Sequence, residues 1–126
     1  MPDLIFSSEG FNENLRLKNE TLFHVASGRL GVRGCFEEGA PEGAPSIRGS
    51  YLNGFCETEP IRYNEKLYGF PESKQLIVNL PDAQTIRIFD GGEAVVCWKG
   101  EKLLQVMDMK NGVYERTFRF SAPRGV

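Results

Sequence analysis

Glycine-bearing turn dipeptides set between short alternating runs constrain this sequence more than any other feature. Asp90-Gly91-Gly92 separates residues 84–89 from residues 93–98, and Asn111-Gly112 separates residues 103–109 from residues 113–120. Such dipeptides reach the positive backbone angles of tight hairpin turns, whose twist matches that of the flanking strands. Within 84–89, Ile86 and Ile88 alternate with Thr85 and Arg87, and an alternation of period two gives a strand one buried face. Residues 75–80 form a further β-rich run, closed by Pro81-Asp82. In residues 113–120, Tyr114, Phe118 and Phe120 fall on one side, with Glu115, Thr117 and Arg119 on the other. The second half therefore reads as an antiparallel meander that must bury its apolar face against another layer.

The first half is less regular. Residues 21–26 and 30–36 read as strands interrupted at Gly28, Gly31 and Gly34, where a missing side chain marks a bend or the close approach of another backbone. A loop over residues 37–45, rich in Glu, Gly and Pro, precedes a strand at residues 50–57, and residues 12–20 form a short helical or irregular entry. No stretch carries the spacing of a long amphipathic helix. The expected class is all-β, an antiparallel β-sandwich. A turn at Ser121-Ala122-Pro123-Arg124-Gly125 follows the last strand with no returning partner. An unpaired aromatic edge invites aggregation, so residues 1–126 are expected to be a sandwich domain truncated at its C-terminal side, part of a longer protein.

A net charge of −2, with no block of either sign, excludes the basic patch of a nucleic-acid-binding protein. The longest strongly apolar run, residues 94–98, is far below the roughly 20 residues of a membrane-spanning helix, and no secretory signal opens the chain. Three widely spaced cysteines, Cys35, Cys56 and Cys97, fit neither a disulfide framework nor a zinc site, and a reducing cytoplasm is the expected compartment. With His24 the sole histidine, neither a metal nor another cofactor is expected.

Several residues invite chemistry. The adjacent carboxylates Glu37 and Glu38 suggest the acid pair of a glycosidase, but neighbours on a strand point to opposite faces, and a solvated Gly/Pro-rich loop is the plainer expectation. Asp82, Asp90 and Asp108 occupy ordinary turn positions. Residues 28–34 lack the spacing and the ending of a phosphate loop. Arg33 and Arg48 are expected to pair with nearby carboxylates, and His24 to be a strand residue with a satisfied hydrogen bond. The three cysteines read as small buried hydrophobes and most aromatics as core, with a sugar-stacking platform the alternative use of Trp98 and the nine phenylalanines. These readings yield no complete active site.

The ordered motifs add what the chemistry does not. Glu20-Thr21-Leu22-Phe23, the run from Ser27 through Gly39, and Gly49-Ser50-Tyr51-Leu52-Asn53-Gly54-Phe55-Cys56-Glu57 are followed by Tyr68-Gly69-Phe70-Pro71, Asn79-Leu80-Pro81-Asp82 and residues 104–119. In this order they resemble the opening of glycoside hydrolase family 65, which includes maltose, trehalose and kojibiose phosphorylases. Ser27 stands where the family usually has Asn, and Cys56 where it often has Tyr. The resemblance implies the first half of an N-terminal super-sandwich of galactose-mutarotase type. It implies too a parent enzyme that cleaves an α-glucose disaccharide with inorganic phosphate, inverting to β-glucose 1-phosphate and a second sugar. The acid and the phosphate site would lie in an (α/α)6 barrel absent from this chain, so no catalytic residue is carried over. The partners implied are that barrel, the disaccharide, phosphate and a second subunit in a homodimer. Tyr68 and Phe70 are the candidates for a domain or subunit contact. A free-standing carbohydrate-binding sandwich and a family hydrolase using water are the alternatives.

Overall fold

A computed structural model of the chain describes residues 4–121. The expected turn after the last strand lies, beyond Ser121, outside the described residues. Strands run β1 (Ile5–Glu9), β2 (Val25–Ala26), β3 (Leu30–Val32), β4 (Ser50–Pro60), β5 (Ser73–Asn79), β6 (Ile88–Asp90), β7 (Glu93–Val95), β8 (Glu101–Asp108) and β9 (Val113–Arg119). A single seven-residue helix, α1 (Arg16–Leu22), is the only α-helix among the described residues. The strands form antiparallel sheets ordered β1-β8-β9 and β2-β3-β4-β5, with β6 and β7 paired as a hairpin. The all-β antiparallel class is the one the alternating runs predict.

The turns explain most of this pairing. Gly91 and Gly92 both take positive φ, 57° and 87°, which closes the two-residue loop between Asp90 and Glu93. The β8–β9 connection is longer, since Asp108 pairs with Val113 across residues 109–112. Asp108 ties that loop together by accepting hydrogen bonds from the Lys110 and Asn111 amides.

Four expected strands are shorter than their patterns suggested, and each loses backbone donors to another partner. Residues 21–22 complete α1 instead of opening a strand. The Asn12 carboxamide accepts from the Asn14 amide at the entry, Arg16 and Glu20 pair one turn apart, and the Phe23 amide closes on Asn19. β3 stops at Val32, because Gly34 donates to the Glu20 carbonyl and runs so close to Phe23 that an added Cβ would lie 2.6 Å from its carbonyl oxygen. Residues 84–87 stay irregular, with the Gln84 amide bonded to Asp82 and the Ile86 amide to the Glu37 carbonyl. β7 ends at Val95, and a 3-10 turn over Cys97–Lys99 replaces the rest of its expected length. β1 has no counterpart among the expected strands. It pairs along β8 from Ile5↔Asp108 to Glu9↔Leu104.

The core lies on one face of the β1-β8-β9 sheet. Phe36, Cys97 and Leu103 form its centre with Phe11, Trp98 and Phe118 against them. Beside it, Phe6, Phe23 and Tyr114 stack in sequence with centroid separations of 4.9 and 5.2 Å. Phe23 bridges the helix end to the sheet, so α1 is clamped by the same aromatic chain that seals the strands.

Candidate functional site

The two carboxylates of the 37–45 loop are where catalysis would be sought first, and their surroundings decide the question. β9 alternates, so Arg116 shares a face with Tyr114 and Phe118, and that face looks inward. A guanidinium there requires partners. Arg116 Nη1 donates to Glu38 Oε1 at 2.8 Å and Nη2 to Glu38 Oε2 at 2.6 Å, a two-pronged pairing, while Nη2 also bonds Glu37. Glu38 Oε1 takes a further hydrogen bond from the Cys97 amide at 2.9 Å, which is why the strand expected through residue 98 turns aside at Cys97. The Arg116 guanidinium lies 4.6 Å from the Phe36 ring centroid and 5.5 Å from that of Phe118.

Both carboxylates therefore converge on one cation instead of flanking a scissile bond. The solvated-loop expectation is corrected for Glu38, whose side chain is only 7% exposed; Glu37 remains partly open at 42%. Burial pushes the Glu38 pKa up, but the hydrogen bonds from Arg116 and Cys97 and the Arg116 charge outweigh it, leaving the group below its usual range. At neutral pH Glu38 is an ionised carboxylate with engaged oxygens, so it holds no proton to give a leaving group. Burial, reinforced by the neighbouring Glu38, pushes the Cys97 thiol up, which keeps it from acting as a thiolate nucleophile.

A second buried cluster joins α1 to the loop. Glu20 accepts from Arg16 Nε at 3.1 Å, from the Ser46 hydroxyl at 2.6 Å and from the Ile47 amide at 2.9 Å, and Arg33 approaches to 3.9 Å. Burial raises the Glu20 pKa, and the Ser46, Ile47 and Arg16 interactions more than reverse the shift. This carboxylate is likewise a structural anion that staples helix to loop.

The remaining expectations sort by place. Arg33 and Arg48 pair with carboxylates, Arg48 reaching Asp82 at 3.4 Å. Asp82 and Asp108 cap turns. His24 is exposed just ahead of β2, its Nδ1 2.7 Å from the Thr21 carbonyl. Cys35 and Cys97 are buried, whereas Cys56 is exposed on β4, which corrects its reading as a buried hydrophobe. Among the described residues no group of three or more His, Cys, Asp or Glu is set to hold a metal ion, and no helix is long and apolar enough to cross a membrane.

Tyr68 and Phe70 sit at the far tip of the β4–β5 hairpin. Gly69, at φ 87°, makes the turn that joins Leu67 to Phe70, and the Phe70 ring rests against Tyr63 at 5.0 Å. The Tyr63 hydroxyl donates to the Pro71 carbonyl at 3.0 Å. Tyr68 stands clear of every neighbour, fully exposed. Sequence reasoning missed Arg116, although its parity with Tyr114 and Phe118 was there to be read. An ionic residue on the apolar side of a strand signals a buried partner.

The fold is β-rich and antiparallel, and its two buried carboxylates, Glu20 and Glu38, are each tied to an arginine and to a backbone amide. The chain belongs to glycosyl hydrolase family 65, whose N-terminal domain matches residues 6–126. It is 42% identical over 123 residues to an alpha,alpha-trehalose phosphorylase of Geobacillus stearothermophilus, covering 94% of this chain and 16% of that protein. It is 31% identical over 115 residues to a kojibiose phosphorylase of Caldanaerobacter subterraneus, covering 90% of this chain and 13% of that one. A solved structure described as a putative kojibiose phosphorylase from human microbiome shares the fold at a TM-score of 0.75 and 22% identity, over 95% of this chain and 16% of that one. The chain thus spans about one sixth of the length of these relatives.

Proposed function

We propose that this chain is the non-catalytic N-terminal sandwich, in part, of a longer cytoplasmic phosphorylase of family 65. The parent enzyme splits an α-glucose disaccharide with inorganic phosphate and inverts the anomeric carbon, releasing β-glucose 1-phosphate and a second sugar. The observation that carries the reading is the state of Glu37 and Glu38. The carboxylate pair with the most enzyme-like sequence is spent on Arg116, so the acid and the phosphate site belong to the (α/α)6 barrel of the same polypeptide. That the relatives named above are trehalose and kojibiose phosphorylases supports phosphate as the acceptor. Tyr68 and Phe70, at an ordered hairpin tip directed away from the core, are assigned to contact with that barrel or with a second subunit.

The test is an assay of the full-length protein on trehalose, kojibiose and maltose, with and without phosphate. Phosphate-dependent release of glucose 1-phosphate is expected. Equal release of free glucose without phosphate would replace the reading with a hydrolase on the same scaffold. Glu38→Gln, assayed where the variant is folded, is expected to keep kcat within about threefold, whereas a catalytic acid would lose several orders of magnitude.

A further inference from the structure

The Arg16 guanidinium is buried, its side chain 3% exposed, yet its hydrogen bonding is incomplete. Nε donates to Glu20 and Nη2 to the Gly39 carbonyl at 3.2 Å, while the group lies 5.6 Å from the Phe36 ring centroid. Nη1 is buried as well and meets no hydrogen-bond partner among the described residues. A guanidinium is all donor, and a buried charged donor without an acceptor has lost its hydration with nothing in return. The acceptor has to be sought in the space beside it.

Arg16 lines a narrow cavity between α1 and β8. Arg16, Glu20, Phe36 and Gln105, all buried, form its inner wall, and Asn12 and Asn19 stand toward the rim. The space takes a water-sized sphere over about 10 Å³, room for a single molecule. Gln105 occupies an inward position of β8 between Leu103 and Met107, where a carboxamide is costly unless it is bonded. Its Oε1 accepts from the Tyr114 hydroxyl at 3.1 Å, which uses one lone pair and leaves another. Asn19 donates to Ser8 through Nδ2 and Asn12 accepts from the Asn14 amide, and both carboxamide oxygens have acceptor capacity beyond those bonds.

We propose that this cavity is the site of one structural water, which accepts from Arg16 Nη1 and donates to the carboxamides around it, so tying α1 to the β8 strand. The inference does not rest on the reading of the parent enzyme. An anion is the competing occupant. The Glu20 carboxylate lines the same space, pairs with Arg16 Nε at 3.1 Å and already balances the guanidinium charge, so a second anion there is repelled. A cation would face Arg16 itself. Cavities that stay dry have apolar walls, and this one does not. Water alone both accepts from the unpaired donor and donates to carboxamide oxygens. It also accounts for a glutamine in the inward row of β8, where the alternation calls for an apolar residue.

The test is a crystal structure of the full-length protein at a resolution that shows ordered water. A second data set comes from a crystal soaked in sodium bromide and measured at the bromine absorption edge. The expected result is one water peak within about 3.2 Å of Arg16 Nη1 and of at least one carboxamide among Asn12, Asn19 and Gln105, with no bromine signal at that position. A bromine signal there would make the cavity an anion site and overturn the proposal. So would a map with no peak beside Nη1, or a protein group from elsewhere in the polypeptide bonded to Nη1 in the place of the water.

Discussion

The β8–β9 and β4–β5 hairpins are both long antiparallel pairs from one short chain, yet they stand in opposite conditions. In β8 the inward positions Leu103, Gln105 and Met107 are buried, and the facing residues of β9 carry Arg116 onto Glu38. In β4 and β5 neither face from Leu52 outward is covered. The difference teaches that alternation by itself does not determine burial. β8–β9 is held because the segments that follow α1 and lead into the 37–45 loop bring Phe23, Phe36 and Glu38 to its apolar side, whereas in the β4–β5 ribbon residues 54–60 of β4 pair with β5 alone among the described strands.

Substitutions should separate the two hairpins. Arg116→Ala leaves Glu38 buried without its cation, and breaking a buried ion pair in this way costs about 3–5 kcal/mol. Denaturant unfolding of the full-length protein should show a loss of that order, and a loss below about 1 kcal/mol would mean that the pair is solvated. Gly34→Ala forces a Cβ against the Phe23 backbone. Its expected cost is about 1–3 kcal/mol, read by the same unfolding curves.

Acid should weaken the packed end next. Folding lowers the pKa of Glu20 and of Glu38 from an ordinary value near 4.5, so the stabilisation from both is complete above that pH. It drains away as the pH falls through the lowered folded values. Urea midpoints measured from pH 6 to pH 3 should fall on the acid side, and Glu38→Gln should flatten that fall. A variant that keeps the full slope would show that Glu38 is not the group protonated. The smallest effect belongs to the ribbon. Lys74→Ala breaks an ion pair whose side chains are both about half exposed, and a change of under about 1 kcal/mol is expected in the melting curve.

Legibility in the sequence followed the same division. The second-half hairpins and their turns could be read, though not the full length of the strands at 84–89 and 93–98, because Gly91-Gly92 and Asn111-Gly112 carry their conformational requirement in their own residue types. The first half misled where side chains took over backbone groups. Thr21 and Leu22 look β-forming, but the Arg16–Glu20 pair and the bond from the Phe23 amide to the Asn19 carbonyl hold them at the end of a helix. Glu38 takes the Cys97 amide and so ends β7 early, a contact across 59 positions that no local pattern contains. The candidate site failed for the same reason. Two adjacent glutamates read as a loop, and only the fold shows that both meet Arg116. The family motifs spanned these irregular stretches, because their order along the chain does not depend on knowing which backbone groups pair.

The packed end holds itself, while the ribbon has no cover among the described residues and, on the proposed reading of a longer parent protein, takes it from elsewhere; hydrogen exchange on the full-length protein tests that division most directly. The amides of residues 54–60 and 73–79 should exchange as slowly as those of β8 and β9, within about tenfold. Exchange of the ribbon within seconds while β8 and β9 stay protected would show a hairpin bare in the whole protein, and the account would be wrong.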